Sequence, residues 1–585
     1  MINTISAIER EIFKKRGFST DEEMLGFLNM TPDMLPVFSS LVDGDRVLDG
    51  LNEAVDSGAY ITIYGDYDAD GVMAMTILYK GLEQLSPGKI NWFANDRFRD
   101  GYSITEDSLE HLLESFPATR VIISCDNGIG AVEAWNRARE LGIKVYVTDH
   151  HEQGADRVPD PSIPAVCEKS IKQKEAYAAG RQKAEGFCGA ELARRLIMQL
   201  YEMRGISANS RDFLESLCAY AGVATITDVI QLNASNHCIA RAAIDHIRQD
   251  KGFWKIFHEN ITGGKALQSR IDGDTFGFYY GPAINACSRV RGSVDLPMRV
   301  FLSDEGDPGL PGLIRQMAEI NETRKSLTEE DARKCEKIIK AHGYEEDPFI
   351  LIADEGLKEG INGLTAGRLK EEYGVPVIVL GKSGNPGIFK GSARSTDSIN
   401  IYEKLTECSD LLVAFGGHPK AAGLSIRDEN LDEFRRRMTE SVSKDYVREE
   451  MSADDSDFVL APSKFTEANI SKLREAYEHL LPFGEGFAKP GFFIEEEVNP
   501  NRGIMYMNEG VHAKLRLTAR SSDNKEVVIL MWNRGSYIKD IEADKGEQKL
   551  MIRGMVNLPE INRYNGIVSF QMTSGKTECL YKSQK

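Results

Sequence analysis

Long apolar runs are missing from this sequence. No stretch of its 585 residues approaches the ~18 consecutive apolar positions that a membrane-spanning helix needs, so nothing in it reads as a bilayer span. The start, MINTISAIEREIFKKRGFST, mixes charge into every turn and has no apolar centre, so no secretory signal is expected and a cytoplasmic protein is. Cysteine is sparse and scattered: nine residues, at 125, 167, 188, 218, 238, 287, 335, 408 and 579, with no CxxC among them. An odd, dispersed set argues against both a disulfide framework and a structural zinc site, and fits reduced thiols. Positive charge is also in deficit. Against 90 Asp and Glu there are 71 Lys and Arg, a formal net charge of −19, and bulk charge of that sign repels nucleic acid. Any phosphate-bearing polymer would have to meet a local basic track, or cations that turn an acidic pocket into a phosphate site.

What is present is the composition of an ordinary soluble globular protein, 42% hydrophobic and 28% charged. At ~150 residues per domain the length predicts three or four units. Three short β-rich runs stand out in the first quarter, YITIY (60–64), RVIIS (120–124) and KVYVT (144–148), each reading as a buried strand. Helical patterns over Val72 to Leu85 and Ala131 to Leu141 separate them, which predicts a doubly wound α/β domain on a parallel sheet. Leu310 to His342 is charged, lacks Gly and Pro after Gly312, and carries apolar residues near helical spacing; a long connecting helix is expected there. PFILIADEG and VPVIVLG, around a helix at Leu364 to Glu372, begin a second α/β unit. The acidic, Ser-rich stretch 449–457 reads as a linker. Beyond it HAKLRLTAR, EVVILMW, QKLMIRGMV and GIVSFQM are spaced like the strands of a small barrel. No internal repeat or low-complexity tract is evident.

Each early strand runs into a polar cluster. Tyr64 is followed by Gly65-Asp66-Tyr67-Asp68-Ala69-Asp70-Gly71, Ser124 by Cys125-Asp126-Asn127-Gly128, and Thr148 by Asp149-His150-His151. The carboxyl ends of strands in an open α/β sheet share one crevice, so these groups should meet. Five carboxylates and two imidazoles repel one another at such range unless cations intervene. The set holds no thiolate, which favours manganese or magnesium. Two such ions ~3.5–4 Å apart clamp the attacking and leaving oxygens of an in-line displacement at phosphorus, so phosphoester hydrolysis is the expected reaction. Each piece alone has a bland reading: a DxD is often a loop cap, DNG a turn, a His pair a surface feature. Their joint occurrence at successive strand ends is what speaks for a metal site.

GDYDADG, DNG and DHH in this order resemble the signature motifs of the DHH phosphoesterases, and Ala224-Thr225-Ile226-Thr227-Asp228 is similar to the next family motif. The resemblance implies that Asp68, Asp70, Asp126, His150 and Asp228 are metal ligands, with Asp126 bridging two ions and Asp66 assisting. It implies that His151 faces substrate phosphate and that Asp149 orients a histidine. Asp228 lies in a helical context where an Asp can also simply cap.

Further segments are similar to the RecJ branch of that superfamily. Gly281 to Arg289 (GPAINACSR) resembles a segment usually reading GPRINAAGR, Gly391 to Ser395 (GSARS) resembles GSGRS, and Phe415 to Gly423 (FGGHPKAAG) matches the glycine-rich motif of the DHH-associated domain. These imply substrate contacts by Arg289, Arg394, Gly417 and His418, the glycines admitting backbone N–H groups close to a phosphate. Leu480 to Gly486 and the strands after it resemble the RecJ oligonucleotide-binding barrel, where Lys514, Arg516, Arg520, Trp532, Arg534, Arg553, Arg563 and Tyr564 are candidates to hold single strands. Solvent-facing positions on a barrel explain each of these equally well.

The resemblance thus implies an N-terminal segment over 1–45, a DHH catalytic domain over 46–310, the connecting helix over 311–342, a DHH-associated domain over 343–452 and an OB-fold domain over 453–585. It implies a monomeric 5′-to-3′ exonuclease on single-stranded DNA, serving repair and recombination beside a single-strand-binding protein and a helicase. Ala283 and Ser288 depart from the RecJ pattern, as does Leu357 to Leu369 against WHPGVIGIVASRL; these fall in substrate-side segments and leave the metal motifs intact. Two alternatives stay open: a DHH hydrolase of short RNA or cyclic dinucleotides, and an inactive nucleic-acid-binding scaffold.

Overall fold

The computed structural model describes residues 2–180, 185–383, 386–446, 456–501, 503–532, 534–543, 549–561, 567–572 and 580–582. The expected linker falls mostly outside them, as do Arg563 and Tyr564. The chain divides into two compact units, one of Met1–Asn3, Glu22–Lys325 and Leu481–Ala488, the other of Thr4–Asp21, Ser326–Leu480 and Lys489–Lys585. The helix Leu310–His342 carries the chain from the first into the second, as its charged sequence, free of Gly and Pro after Gly312, predicts.

The first unit is built on a five-stranded sheet of β1 (Ile61–Gly65), β2 (Ile90–Ala94), β3 (Val121–Cys125), β4 (Lys144–Asp149) and β5 (Ala165–Cys167). Every pairing is parallel and the order is β2-β1-β3-β4-β5. A parallel sheet covered on both faces buries both sides of its strands, which is why β1 and β3 read as continuous apolar runs. On one face lies the helix Ala69–Leu85, with Val72, Met73, Met75, Ile77, Leu78 and Leu82 fully buried, packed on Gly189–Met203 and Arg211–Thr227. Each such side chain stabilises the fold by roughly 1.5–3 kcal/mol, so the loop between β1 and this helix is fixed at both ends. On the other face, Trp135 of Val132–Glu140 and Leu109 and Leu112 of Glu106–Ser115 close a separate apolar cluster. The order reverses between β1 and β3, and the polar clusters of the sequence follow the strands on either side of that point.

The second unit contains a mixed sheet of β6 (Ile350–Ala353), β7 (Val377–Lys382), β8 (Ile388–Arg394), β9 (Leu412–His418) and β10 (Ala421–Arg427), in the order β6-β7-β8-β10-β9. The helix Asn362–Tyr373 packs against β7 and β8. After it, β11 (Phe458–Leu460), β12 (Phe492–Glu497), β16 (Leu550–Val556) and β19 (Leu580–Lys582) form one sheet. β13 (Ile504–Met507), β14 (His512–Arg520), β15 (Glu526–Met531), β17 (Glu560–Ile561) and β18 (Val568–Gln571) form another. The two share a core that includes Ile494, Leu515, Ile529, Ile552 and Phe570, and are joined by bridges at Val498–Leu517 and Val556–Met572. The alternation legible in the sequence is present, arranged as two linked sheets among the described residues.

Candidate metal centre

The loop after β1 delivers three acids. Asp66 is buried and accepts the Tyr67 N–H at 2.7 Å. Asp68 is the N-cap of Ala69–Leu85, accepting the Gly71 N–H at 3.1 Å with one oxygen, so the bland cap reading of the DxD holds for part of this side chain. Asp70 sits inside the first turn, wholly buried, and both its oxygens accept from the amino end of Gly189–Met203: Gly189 N–H at 2.7 Å and Ala190 N–H at 2.7 Å. Gly189 is required there by close approach, because a Cβ would lie 2.5 Å from that of Asp126.

Asp126 follows β3 with φ of 57°, a left-handed conformation that costs a non-glycine residue roughly 1–2 kcal/mol. Val229, just after Asp228, is held at φ 55° although it is β-branched. Strain of this kind persists where surrounding structure over-determines it, and here it brackets one cluster of acids. His150 Nε2 lies 2.9 Å from Asp126 Oδ1, 3.5 Å from Asp228 Oδ2 and 3.6 Å from Asp70 Oδ2. Asp228 closes the helix Arg211–Thr227, so its carboxylate caps no amino end and is turned instead toward His150. Asp126, His150 and His151 form one set whose ligand atoms lie within 4.8 Å of one another; Asp70, His150 and Asp228 form a second, and Asp66, Asp68 and Asp126 a third.

Among the described residues, protein cations compensate only part of the charge in this crevice. Both Asp126 oxygens and both His150 ring nitrogens are buried without a hydrogen bond. Burial, and then neighbouring acids, push Asp66 and Asp126 well above the usual carboxylate range, Asp70 to about 6 and Asp228 to about 9. Burial and the nearby His151 lower His150 to about 3. The donor set therefore fits divalent cations, which remove the repulsion that these shifts register.

Asp149 has a different job. Burial would raise it, but a hydrogen bond and charge from His151 outweigh that and leave it at about 2. It accepts from the N–H groups of Ile129, His150 and His151 and from His151 Nδ1 at 2.8 Å, tying the β3 and β4 loops together. His151, not His150, is the imidazole it orients. Burial would lower His151, yet Asp149 raises it to about 9, and its Nε2 meets the Tyr102 hydroxyl at 3.1 Å. Tyr102, Gly189 and Ala190 escaped the sequence reading; the signal for Tyr102 was an aromatic in the loop that follows β2.

Arg289 lies half-buried on Gly281–Arg291, and Arg97 lies over the Tyr67 ring. Burial holds the Tyr67 hydroxyl up at about 12 against the pull of Arg97 and Arg289, and the Arg97 contact places that cation beside the β1 loop. Ala283 and Ser288, the departures on that helix, are buried.

In the second unit, the Arg394 guanidinium donates to the Ala393 carbonyl oxygen at 2.8 Å and has no ion pair among the described residues; burial alone lowers its proton affinity. It lies over Gly363, in the first turn of Asn362–Tyr373, where a Cβ would be 2.7 Å from the guanidinium. Strand register runs Arg394–Ala421–His418 across β8, β10 and β9, so Arg394 and His418 share one level of the sheet about two strand spacings apart, ~10 Å. Gly417 adopts φ of 147°, and a Cβ there would strike the Ala421 carbonyl oxygen. Of the barrel candidates, Arg516 is ion-paired with Glu526, which supports its bland reading. Trp532 is 46% exposed, edge-on to His512, and donates to Gln571.

The family model for the DHH family N-terminal domain matches residues 60–223, that for the DHHA1 domain residues 347–444, and that for the RecJ OB domain residues 456–574. A single-stranded-DNA-specific exonuclease RecJ of Bacillus subtilis is 28% identical over 520 residues, covering 88% of this chain; the chain spans 62% of that relative's length. Among solved structures, RecJ of Thermus thermophilus in complex with Mn2+ matches with a TM-score of 0.74 at 23% identity, covering 99% of this chain and 76% of that one. An exonuclease RecJ bound to manganese matches with a TM-score of 0.57 at 25% identity, covering 71% of this chain and 96% of that one. Models of a DHH domain, a DHHA1 domain and a RecJ OB domain thus match in succession along this chain, which is similar to RecJ exonucleases over most of its length.

Proposed function

We propose that the protein is a single-stranded-DNA-specific exonuclease that hydrolyses phosphodiesters from the 5′ end and releases 5′-mononucleotides in DNA repair and recombination. The observation that carries this reading is the meeting of Asp66, Asp68, Asp70, Asp126, His150 and Asp228 in one crevice, with the Asp126 oxygens buried and unbonded. These six residues would hold two divalent cations, manganese being favoured and magnesium the alternative, as the solved RecJ relatives with Mn2+ or Mg2+ support. When bound, the cations supply Lewis acidity at phosphorus and a water nucleophile active at neutral pH. Asp126 belongs to two of the three ligand sets and is the natural bridge. His151, charged and fixed by Asp149, is placed to bind a phosphate oxygen, with Arg289 nearby on the β1 side. Arg394 and His418 bind phosphate in the DHHA1 domain, and the OB region holds the strand beyond. Single-stranded DNA is the partner; a single-strand-binding protein and a helicase complete the proposed setting, with the enzyme a monomer.

The test offers labelled single-stranded DNA, duplex DNA, RNA and a dinucleotide with manganese or magnesium to the wild type and to Asp126→Ala. Mononucleotides should appear from the 5′ end of single-stranded DNA, and the variant should lose roughly 10³-fold or more in kcat. Cleavage of the dinucleotide alone would favour the short-substrate hydrolase instead.

A further inference from the structure

β5 is the short outer strand of the catalytic sheet, and its carboxyl end opens at the same edge as those of β3 and β4. It pairs with β4 so that Cys167 stands opposite Asp149. His151 comes two residues after Asp149, and Lys169 two residues after Cys167. The two turns touch, since Cys167 Sγ donates to the His151 carbonyl oxygen at 3.3 Å. Lys169 is half-buried. The adjacent Glu168 is engaged elsewhere, accepting from the Tyr177 hydroxyl and from the N–H groups of Glu185 and Phe187. The lysines that follow are neutralised, Lys172 by Asp43 and Lys174 by Glu152, whereas Lys169 has no ion pair among the described residues.

Through that contact and the β4–β5 pairing, Lys169 is carried beside the turn that bears His150 and His151. Once divalent ions neutralise the acids, a half-buried ammonium beside them lacks an anion, and leaving such a charge unpaired is unfavourable. The anion that this crevice is built to receive is a phosphodiester.

We propose that Lys169 is a further catalytic residue, binding a non-bridging oxygen of the phosphodiester that lies on the metal cluster. The proposal rests on the phosphodiesterase reading above. Lysine serves as a point charge here, so arginine should replace it in large part and a neutral isostere should not.

The experiment compares wild type, Lys169→Met and Lys169→Arg on single-stranded DNA with manganese, and measures manganese affinity without DNA. Lys169→Met should lower kcat/KM about 10- to 100-fold, the scale of one charge-assisted contact, while manganese affinity stays unchanged; Lys169→Arg should recover most of the loss. On a phosphorothioate single strand, which keeps the charge but resists cleavage, bound to the manganese-loaded protein, Lys169→Met should reduce the slope of log K against log salt by about 0.7, the value for one phosphate contact on a single strand. Wild-type kcat/KM in Lys169→Met overturns the assignment, as does a loss matched by lost manganese affinity or one that Lys169→Arg leaves unrelieved. Should the wild type itself leave every strand intact, the phosphodiesterase reading fails, and the role of Lys169 with it.

Discussion

The crevice beyond β1, β3 and β4 and the corner of the second sheet around Arg394 present opposite electrostatic problems. In the first, more acids are buried than the cations among the described residues offset; Asp126 keeps two unbonded oxygens and Asp228 is pushed to about 9. In the second, a guanidinium is desolvated beside a helix amino end, with no carboxylate partner among the described residues. One place lacks cations and the other lacks an anion. Under the proposed function, the comparison teaches how a chain of net charge −19 would meet a polyanion: the acids of the crevice would be covered by metal ions, and cations such as Arg394 would meet phosphate locally.

The comparison sharpens if each corner fails in its own way. Removing the charge and one of the two acceptor oxygens that organise the metal side, Asp149→Asn, loosens either His151 or the β3 loop, and should weaken manganese binding about 10- to 100-fold in a calorimetric titration. Arg394→Ala should leave manganese affinity untouched and raise KM for single-stranded DNA roughly 30-fold, the effect of losing about 2 kcal/mol of charge-assisted hydrogen bonding. If Arg394→Ala weakened metal binding instead, the two corners would not be separate devices.

A smaller effect concerns pH. In metal-free protein Asp228 stands at about 9 against an ordinary 3.8, and His151 at about 9 against 6.5. A group raised on folding contributes stability that is complete below its unfolded value and is lost as pH rises through its folded value. Between pH 6.5 and 9 both therefore act together, and the melting temperature of metal-free protein should fall as pH rises. Manganese should restore more at about pH 9 than near pH 6.5, because its ligands must be deprotonated. Asp149, lowered to about 2, is fully ionised throughout this window and does not alter the sign. A melting temperature that rises across the same window would break the account of the crevice.

Much of the catalytic half was legible because its chemistry follows its strands immediately. β1, β3 and β4 are apolar runs that end in Asp66 to Asp70, Asp126, and Asp149 to His151, so a local pattern plus the rule for open sheets located the crevice. Asp228 is different: it ends a helix, and only the packing of Arg211–Thr227 on Ala69–Leu85 brings it to His150. The backbone donors to Asp70 lie 119 and 120 residues away, beyond any local signal. Arg516 was a candidate DNA contact through the resemblance alone, with a solvent-facing barrel position explaining it equally well, and its place opposite Val528 of β15, diagonal to Glu526, is what gives it an ion pair. Lys169 was invisible because β5 is three residues long and merges with the turn that follows.

The central claim is that the acids and His150 share cations, and the most direct measurement is the manganese stoichiometry of purified protein stripped of metal and then titrated. The account predicts about two ions per wild-type chain, and loss of both tight sites in Asp126→Ala, since Asp126, like His150, belongs to two ligand sets. A wild type that binds no manganese, or an Asp126→Ala protein that binds as many ions as tightly, would contradict it.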